Sequence, residues 1–174
     1  MIKFKNIFFL FFFLLLSNNA YSANKVSYID IDYVLTNTNI GKFLLTKLKE
    51  DEKLIIIKFK DNDEKFKNDE KKILAKKNLI SNDELNREMK SLRNKFNEYK
   101  RNKDLEIKNF KEKREINILN LMNLINPIIE KYMADNSIDI LLDKKNVFIA
   151  NKDYDITNFL IELIDNQIKT IEIK

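Results

Sequence analysis

Apolar residues follow two contrasting patterns along this chain. Near the N-terminus, residues 7–16 form an unbroken apolar run of ten residues, preceded by two lysines. A membrane-spanning helix needs about 20 residues, so this run predicts the core of a signal peptide and not an anchor. Small residues at Ala20 and Ser22 predict that residues 1–22 are the signal peptide, cleaved after Ser22, with Ala23 as the alternative.

From about Lys42 to Leu79, apolar residues recur with the sevenfold spacing of a helix packed along a partner helix. The positions on this register are Leu45, Phe59, Phe66, Ile73 and Ile80, with Leu48 and Ile55 on a neighbouring line. Ser81 and Glu84 then match the capping-box pattern, so a second helix is predicted from about Asn82. Two long helices joined by a short turn predict an antiparallel hairpin, which would extend ~57 Å at ~1.5 Å per residue.

The second helix opens with the alternation of four and three residues that is typical of a coiled-coil seam. Its seam positions are Leu85, Met89, Leu92, Phe96 and Tyr99. The pattern then meets Lys103, Ile107, Phe110 and Arg114, and becomes apolar again at Ile118, Leu121, Ile125, Ile128 and Tyr132. We expect a weaker seam in the middle of the arm, and a kink at Pro127, which removes one helix hydrogen bond.

Short strand-like and amphipathic segments flank the two helices. Residues 25–31 (KVSYIDI) alternate as a strand, and residues 37–39 (NTN) offer oxygens that can cap a helix start. Residues 138–143 and 147–150 predict a β-hairpin around a polar turn at 144–146. Residues 155–157 can then cap a last helix, whose apolar stripe is Phe159, Leu160, Leu163, Ile164 and Ile168.

Composition agrees with few, long elements. Charged residues make up 34% of the chain, and Gly and Pro, the usual turn residues, occur once each. The predicted fold is α+β. A small β-rich body comprises residues 23–41 and 136–174, and residues 42–135 form a helical coiled-coil hairpin arm with its tip near residues 79–83.

The composition of the chain lacks several side chains that enzymes commonly use. The chain has no Cys and no His, which removes the usual zinc ligands, the cysteine nucleophile and the commonest general base. Asp30 and Asp32 are the remaining candidate pair for acid–base chemistry. Nothing nearby supplies a phosphate loop or a metal cluster, which favours ordinary strand-end carboxylates. We therefore predict that the protein is not an enzyme and that it binds no cofactor.

Charge is distributed unevenly along the chain. Residues 58–115 contain 19 Lys or Arg against 13 Asp or Glu, whereas the rest of the predicted mature chain has 11 against 14. Near the tip, four lysines follow closely: Lys71, Lys72, Lys76 and Lys77. A basic arm would attract acidic partners or anionic lipid over a long range. The alternative is a solvated helix surface with i,i+4 ion pairs.

Aromatic side chains on the arm also allow two interpretations. The residues are Phe59, Phe66, Phe96, Tyr99 and Phe110. Their spacing favours the seam between the two helices. Alternatively, some of them line a binding surface that offers weak, exchangeable apolar contacts.

The order of these segments resembles the Skp/OmpH family of periplasmic chaperones of Gram-negative bacteria. The resemblance covers residues 24–168, and its specific part is IDILLD at 138–143, followed by VFIA at 147–150 and DIT at 155–157. It implies a homotrimer whose bodies intertwine as a barrel and whose arms enclose a cavity. That cavity would hold unfolded outer-membrane proteins without nucleotide. The body residues expected in the trimer are Val26, Tyr28, Ile140, Leu142, Val147 and Ile149.

Two other classes of function explain parts of the sequence. A nucleic-acid-binding protein would use the lysines to neutralise phosphates, but an export signal argues against a physiological nucleic-acid partner. A purely structural periplasmic coiled coil would need the arm alone, and the body at the C-terminal end counts against it. Contact with lipopolysaccharide is a further possible use of the basic arm.

Overall fold

The computed structural model describes residues 25–173 of the chain. The predicted signal peptide and both predicted cleavage positions lie outside these residues. In chain order the elements are strand β1 (Lys25–Ile29), helix α1 (Ile31–Asn37), helix α2 (Asn39–Ala75), helix α3 (Asn82–Asp135), strand β2 (Ile138–Asp143) and helix α4 (Thr157–Gln167). Short 3₁₀ turns at Lys144–Asn146 and Lys152–Tyr154 connect β2 to α4. The predicted combination of a small body and a long helical hairpin is confirmed.

The body is organised around a parallel pair of strands. β1 pairs with β2 along its length, with Val26 opposite Ile140 and Tyr28 opposite Leu142. Parallel neighbours need a long crossover connection, and here the whole α2–α3 hairpin is that connection. On the other side of β1, the Ile156 N–H donates to the Tyr28 carbonyl at 3.1 Å. The start of α4 is thereby attached to the same strand.

Helix α1 was not predicted, and it shortens the first strand. The alternating pattern predicted a strand to Ile31, but β1 ends at Ile29 because Asp30 acts as a helix N-cap. The Asp30 carboxylate accepts a hydrogen bond from the Tyr33 N–H at 2.9 Å, and Asp32 forms an ion pair with Lys145 at 2.6 Å. The two carboxylates therefore have structural partners, as expected for residues at a strand end.

The ends of the arm helices follow from local capping. Thr38 caps α2 by accepting from the Gly41 N–H at 3.2 Å, and Ser81 caps α3 by accepting from the Glu84 N–H at 3.2 Å. The start of α3 at Asn82 was predicted, whereas α2 begins at Asn39, ahead of the predicted start near Lys42. The first helix ends at Ala75, four residues before the predicted Leu79, because residues 76–80 already form the tight turn of the hairpin. Pro127 lies inside α3, which continues to Asp135, and the kink there stays a prediction.

The hydrophobic core lies where the base of the arm meets the body. Leu44 of α2, Leu121 and Ile125 of α3, and Leu160 and Ile164 of α4 are almost completely buried in one cluster. Helix α4 thus buries the middle of its predicted stripe. Phe159 instead lies half exposed against Tyr132, with the ring centroids 4.7 Å apart. Because one cluster joins α2, α3 and α4, the arm and the body share their core.

The predicted hairpin between residues 138–143 and 147–150 is wrong. The first segment is β2, but residues 147–150 form no strand in this chain. The Asp143 carboxylate accepts from the Lys145 N–H at 3.1 Å and caps a 3₁₀ turn. The chain therefore leaves β2 through this turn and does not fold back along it. As a consequence, Phe148 and Ile149 are exposed to solvent.

Gly41 provides a test of the close approach of α1 to the start of α2. A Cβ at this position would overlap the Leu35 carbonyl oxygen and lie 2.8 Å from Thr38 Oγ1. Gly→Ala inside a helix normally stabilises by about 0.5–1 kcal/mol, but we expect Gly41→Ala to lower the free energy of unfolding by about 1–3 kcal/mol through this overlap. Urea unfolding followed by circular dichroism at a fixed protein concentration measures the difference.

Thr46→Ala, at an exposed position on the same helix, is the control and should stay within about 0.5 kcal/mol of the wild type. A Gly41→Ala protein that is as stable as the wild type would show that α1 does not approach α2 as closely as described.

Candidate functional site on the helical arm

The seam between α2 and α3 is apolar at both ends of the arm. At the base, Leu48 is buried in the same cluster as Leu121. Farther out, Phe59 is also buried, and the other predicted seam residues of α2 are at least partly buried: Leu45, Ile55, Phe66, Ile73 and Ile80. The sevenfold spacing thus identified the side of α2 that faces its partner helix.

The middle of the seam combines the apolar Ile55 and Phe59 of α2 with charged residues of both helices. Three ion pairs connect the helices there: Lys113 to Asp51 at 2.9 Å, Lys58 to Glu106 at 2.8 Å, and Lys103 to Asp63 at 2.8 Å. The predicted mid-arm register was wrong in part, because Ile107 and Arg114 are exposed. The three-and-four alternation continues from Lys103 through Glu106, Phe110 and Lys113 to the buried Asn117. A weaker apolar seam was expected here, and charged partners lie beside the apolar residues that remain in it.

One of these pairs belongs to a cluster with two aromatic rings. The Tyr99 hydroxyl donates to Asp63 at 2.7 Å and lies 3.1 Å from the Phe59 carbonyl oxygen. The Lys103 ammonium lies 5.1 Å from the centre of the Phe59 ring and 5.8 Å from that of Tyr99. These distances are typical of cation–π contacts. The cluster fixes the register of the two helices where the apolar seam changes to the polar one.

Titration of this cluster lies away from neutral pH. Hydrogen bonds from Lys103 and then Tyr99 lower the pKa of Asp63, and the hydrogen bond to Asp63 raises the pKa of Lys103. Burial and then the hydrogen bond to Asp63 raise the pKa of Tyr99. Because the pKa of Asp63 is lowered, its contribution to stability is complete above 3.8 and is lost as the pH falls through the lower folded value.

The distal half of the arm contains a groove along one side of the helix pair. Phe66, Phe96 and Tyr99 form its aromatic floor, with Phe66 and Phe96 edge to face at 5.4 Å, and Phe66 and Tyr99 at 5.1 Å. Phe96 remains 42% exposed. The groove is also lined by Lys60, Lys67, Lys71, Lys90, Arg93, Lys100 and Lys103. We call this feature the distal groove.

The candidate binding residues thus fall into different environments. Phe59 belongs to the seam, Phe66 and Phe96 belong to the distal groove, and Phe110 is partly buried. The four tip lysines also differ. Lys71 lines the groove, Lys72 pairs with Asp69 at 3.5 Å, Lys76 bridges to Glu88 of α3 at 2.9 Å, and Lys77 is exposed.

The base half of the arm exposes a set of large apolar side chains that the seam pattern did not identify. They are Phe43, Leu54, Ile56, Ile57, Leu105, Ile107, Ile116, Leu119 and Leu124. Leu54 is 66% exposed. A signal for them was present, because residues 54–57 (LIII) are consecutive and a helix points consecutive side chains in different directions. We call this set the aliphatic surface of the arm.

The body residues that we expect in the trimer also differ in their exposure to solvent. Val26, Ile140 and Leu142 are partly exposed along the strand pair, and Ile149 is 86% exposed. Val147 is partly buried, and Tyr28 is buried within the body of its own chain.

Other kinds of site are not found in the part of the chain that the structure describes. Over residues 25–173, the acidic side chains form no group that could hold a metal ion. None of the helices in that range combines the length and the apolar character that crossing a membrane requires.

Comparisons with known proteins agree with this architecture. The crystal structure of a candidate outer membrane chaperone (OmpH-like) from Caulobacter crescentus CB15 is similar to this chain, with a TM-score of 0.77 and 22% sequence identity. The match covers 87% of this chain and 89% of that one. A search of curated proteins found no match. The family described as outer membrane protein (OmpH-like) matches residues 25–164, and the chain therefore belongs to the OmpH-like family.

Proposed function

We propose that this protein is an ATP-independent holdase chaperone of the periplasm. It binds unfolded outer-membrane proteins between the arms of a homotrimer and prevents their aggregation before membrane insertion. The observation that carries the proposal is the aliphatic surface, which leaves large apolar side chains in contact with solvent along the base half of the arm. Large apolar side chains left exposed in this concentration suggest an interaction site.

The aliphatic surface suits a client that must be released again. Its side chains are spread along two helices and do not form one deep pocket. Each contact therefore buries little area and stabilises the complex only slightly, by about 25 cal/mol per Å². Many such contacts retain an unfolded chain, whereas any single contact exchanges easily. No catalytic group and no cofactor are required for this activity.

The body supports assembly into the proposed trimer. An isolated two-stranded sheet is at best marginally stable in water, and β1 and β2 form the only sheet in residues 25–173. Ile140 and Leu142 of β2 are partly exposed, and Phe148 and Ile149 follow on an uncovered segment. Residues 147–150 have strand-like composition, so we propose that they pair with the body of a neighbouring subunit.

The proposed location follows from the predicted signal peptide and from the family. An exported chain with a basic arm would meet acidic unfolded proteins, anionic lipid and lipopolysaccharide, and no physiological nucleic acid. A structural coiled coil is the main alternative, and protection of a client separates the two functions.

The first expected outcome concerns assembly. The mature wild-type protein should sediment with three times the mass of one chain at micromolar concentration. Phe148→Ser combined with Ile149→Ser should shift it to smaller species, because the substitutions remove two apolar side chains from the proposed contact. Leu79→Ser, at an exposed position on the tip, is the control and should leave the mass unchanged. A folded wild-type monomer would contradict the trimer.

The second expected outcome tests the holdase activity. Without ATP, the mature protein should suppress light scattering when an unfolded outer-membrane protein is diluted from urea. Leu54→Gln combined with Ile57→Gln should weaken client binding roughly 30-fold, since partial burial of each of the two side chains stabilises the complex by about 1 kcal/mol.

Leu74→Gln combined with Leu79→Gln, at exposed positions of the distal half, is the matched control and should bind more like the wild type. A wild-type protein without any protective effect would favour the structural coiled coil. Equal protection by the Leu54 and Ile57 variant would exclude the aliphatic surface as the binding site.

The third expected outcome concerns the tip lysines. Replacing Lys71, Lys72, Lys76 and Lys77 with Gln should slow association with an acidic unfolded client at low salt. The difference in association rate should be smaller at 1 M salt, because the Debye length is ~3 Å there and ~10 Å at 0.1 M. Stopped-flow mixing at several salt concentrations measures this rate. The control replaces the exposed Lys42, Lys49, Lys53 and Lys111 of the base half, with the same change of charge. Equal rates for both variants would mean that position on the arm does not matter.

A further inference from the structure

The two halves of the arm differ in chemistry. Residues 58–104 contain 15 Lys or Arg against 10 Asp or Glu, whereas residues 42–57 and 105–135 together contain 9 against 8. Of the large apolar side chains that the arm exposes, only Leu74, Leu79 and Phe96 belong to residues 58–104. The distal half is therefore basic and exposes few apolar groups, and Phe96 is its one exposed aromatic ring.

Phe96 is held at the floor of the distal groove by its aromatic neighbours. Its ring contacts Phe66 edge to face, and its centroid lies 6.2 Å from that of Tyr99. Tyr99 is itself fixed by its hydrogen bond to Asp63. An incoming apolar side chain would thus meet a floor whose geometry is already set, which lowers the entropy cost of binding.

Most of the cations around this floor lack carboxylate partners. Among residues 25–173, none of six lining cations lies within 4.0 Å of a carboxylate oxygen: Lys60, Lys67, Lys71, Lys90, Arg93 and Lys100. Lys103, the seventh, is paired with Asp63. The carboxylates of the lining are Asp63, Glu64, Glu70 and Asp104. The groove therefore has an excess of positive charge next to an aromatic floor.

We propose that the distal groove is a distinct client subsite, which binds an extended acidic segment that inserts an aromatic side chain against Phe96. The aromatic side chain gains apolar contact with the floor, and flanking Asp or Glu residues complement the free cations. This subsite rests on the proposed chaperone function. It adds a sequence preference that the aliphatic surface, which lacks this concentration of charge, does not provide.

A single-stranded nucleic acid also combines aromatic bases with negative charge, but the floor is less suited to it. Base stacking needs an open ring face. The edge-to-face contact between Phe66 and Phe96 and the approach of Lys103 to the Tyr99 ring each occupy one ring face and leave fewer faces for stacking.

The test uses the mature trimer and short fluorescent peptides in fluorescence anisotropy titrations. The probe peptide has a central Phe flanked by Asp and Glu. One control peptide replaces Phe with Ala, and another replaces the acidic residues with Asn and Gln. The probe should bind about tenfold more tightly than the peptide without Phe, as expected for burial of one aromatic side chain. Removal of the acidic residues should weaken binding and abolish its salt dependence.

Variants of the protein separate the groove from the general charge of the arm. Phe96→Ala should weaken probe binding about tenfold. Lys67→Gln combined with Lys100→Gln should weaken it about threefold, which is typical of exposed charge contacts. The matched control is Lys65→Gln combined with Lys95→Gln, at exposed positions of the same helices outside the groove. This control should bind the probe like the wild type.

Three results would contradict the proposed subsite. The first is equal affinity for the Phe and Ala peptides, and the second is equal loss of affinity when either lysine pair is replaced. The third is Phe96-dependent binding of oligodeoxythymidylate in place of the probe. Aggregation of the unfolded outer-membrane protein is measured on the same preparations. If protection persists while the peptide preference is absent, only the subsite fails. If the wild type gives no protection, the proposed function itself fails.

Discussion

Pairing of β1 with β2 joins two segments that are separated in the sequence by the whole helical arm. The Lys25 N–H donates to the Asp139 carboxylate at 2.9 Å across a sequence separation of 114 residues. Closing so long a loop costs conformational entropy, and the burial of Leu44, Leu121, Ile125 and Leu160 next to the strands offsets that cost. In the sequence, every residue of the arm lies between the two paired strands. The arm is consequently held at both ends, and its two helices must leave the body side by side.

Outward from this anchor, the forces that hold the arm together change in kind. The base is packed by aliphatic side chains, the middle is connected by Lys113–Asp51, Lys58–Glu106 and Lys103–Asp63, and the distal part is held by aromatic contacts. Exposed ion pairs stabilise by about 0–1 kcal/mol each. The middle of the arm therefore combines these weak ion pairs with the buried Phe59, and it carries part of the aliphatic surface, including Leu54 and Leu105.

The sequence allowed prediction of those features that depend on local chemistry. Residues 37–39 were predicted to offer a cap and Ser81 to begin a capping box, and in the structure Thr38 and Ser81 each accept from the amide three residues ahead. The side of α2 that packs on α3 followed from the sevenfold spacing. Helix α1 was missed because Asp30 continues an alternating strand pattern, and its capping role depends on the turn of the chain after Ile29. The hairpin at 147–150 failed because strand composition does not specify a partner strand. The distal groove depends on how Phe66 of α2 aligns with Phe96 and Tyr99 of α3, which the spacing on either helix alone does not show.

The parallel pairing also determines the order in which the chain acquires its structure. Pairing β1 with β2 requires contact between residues 114 positions apart in the sequence, and contacts of such long separation form slowly. Helices, by comparison, form within about a microsecond. The α2–α3 hairpin thus has time to close before the body exists, and it brings Asp135 and Asn39 to the same end. The arm in this way acts as the template that turns a very distant strand pairing into an encounter between neighbours.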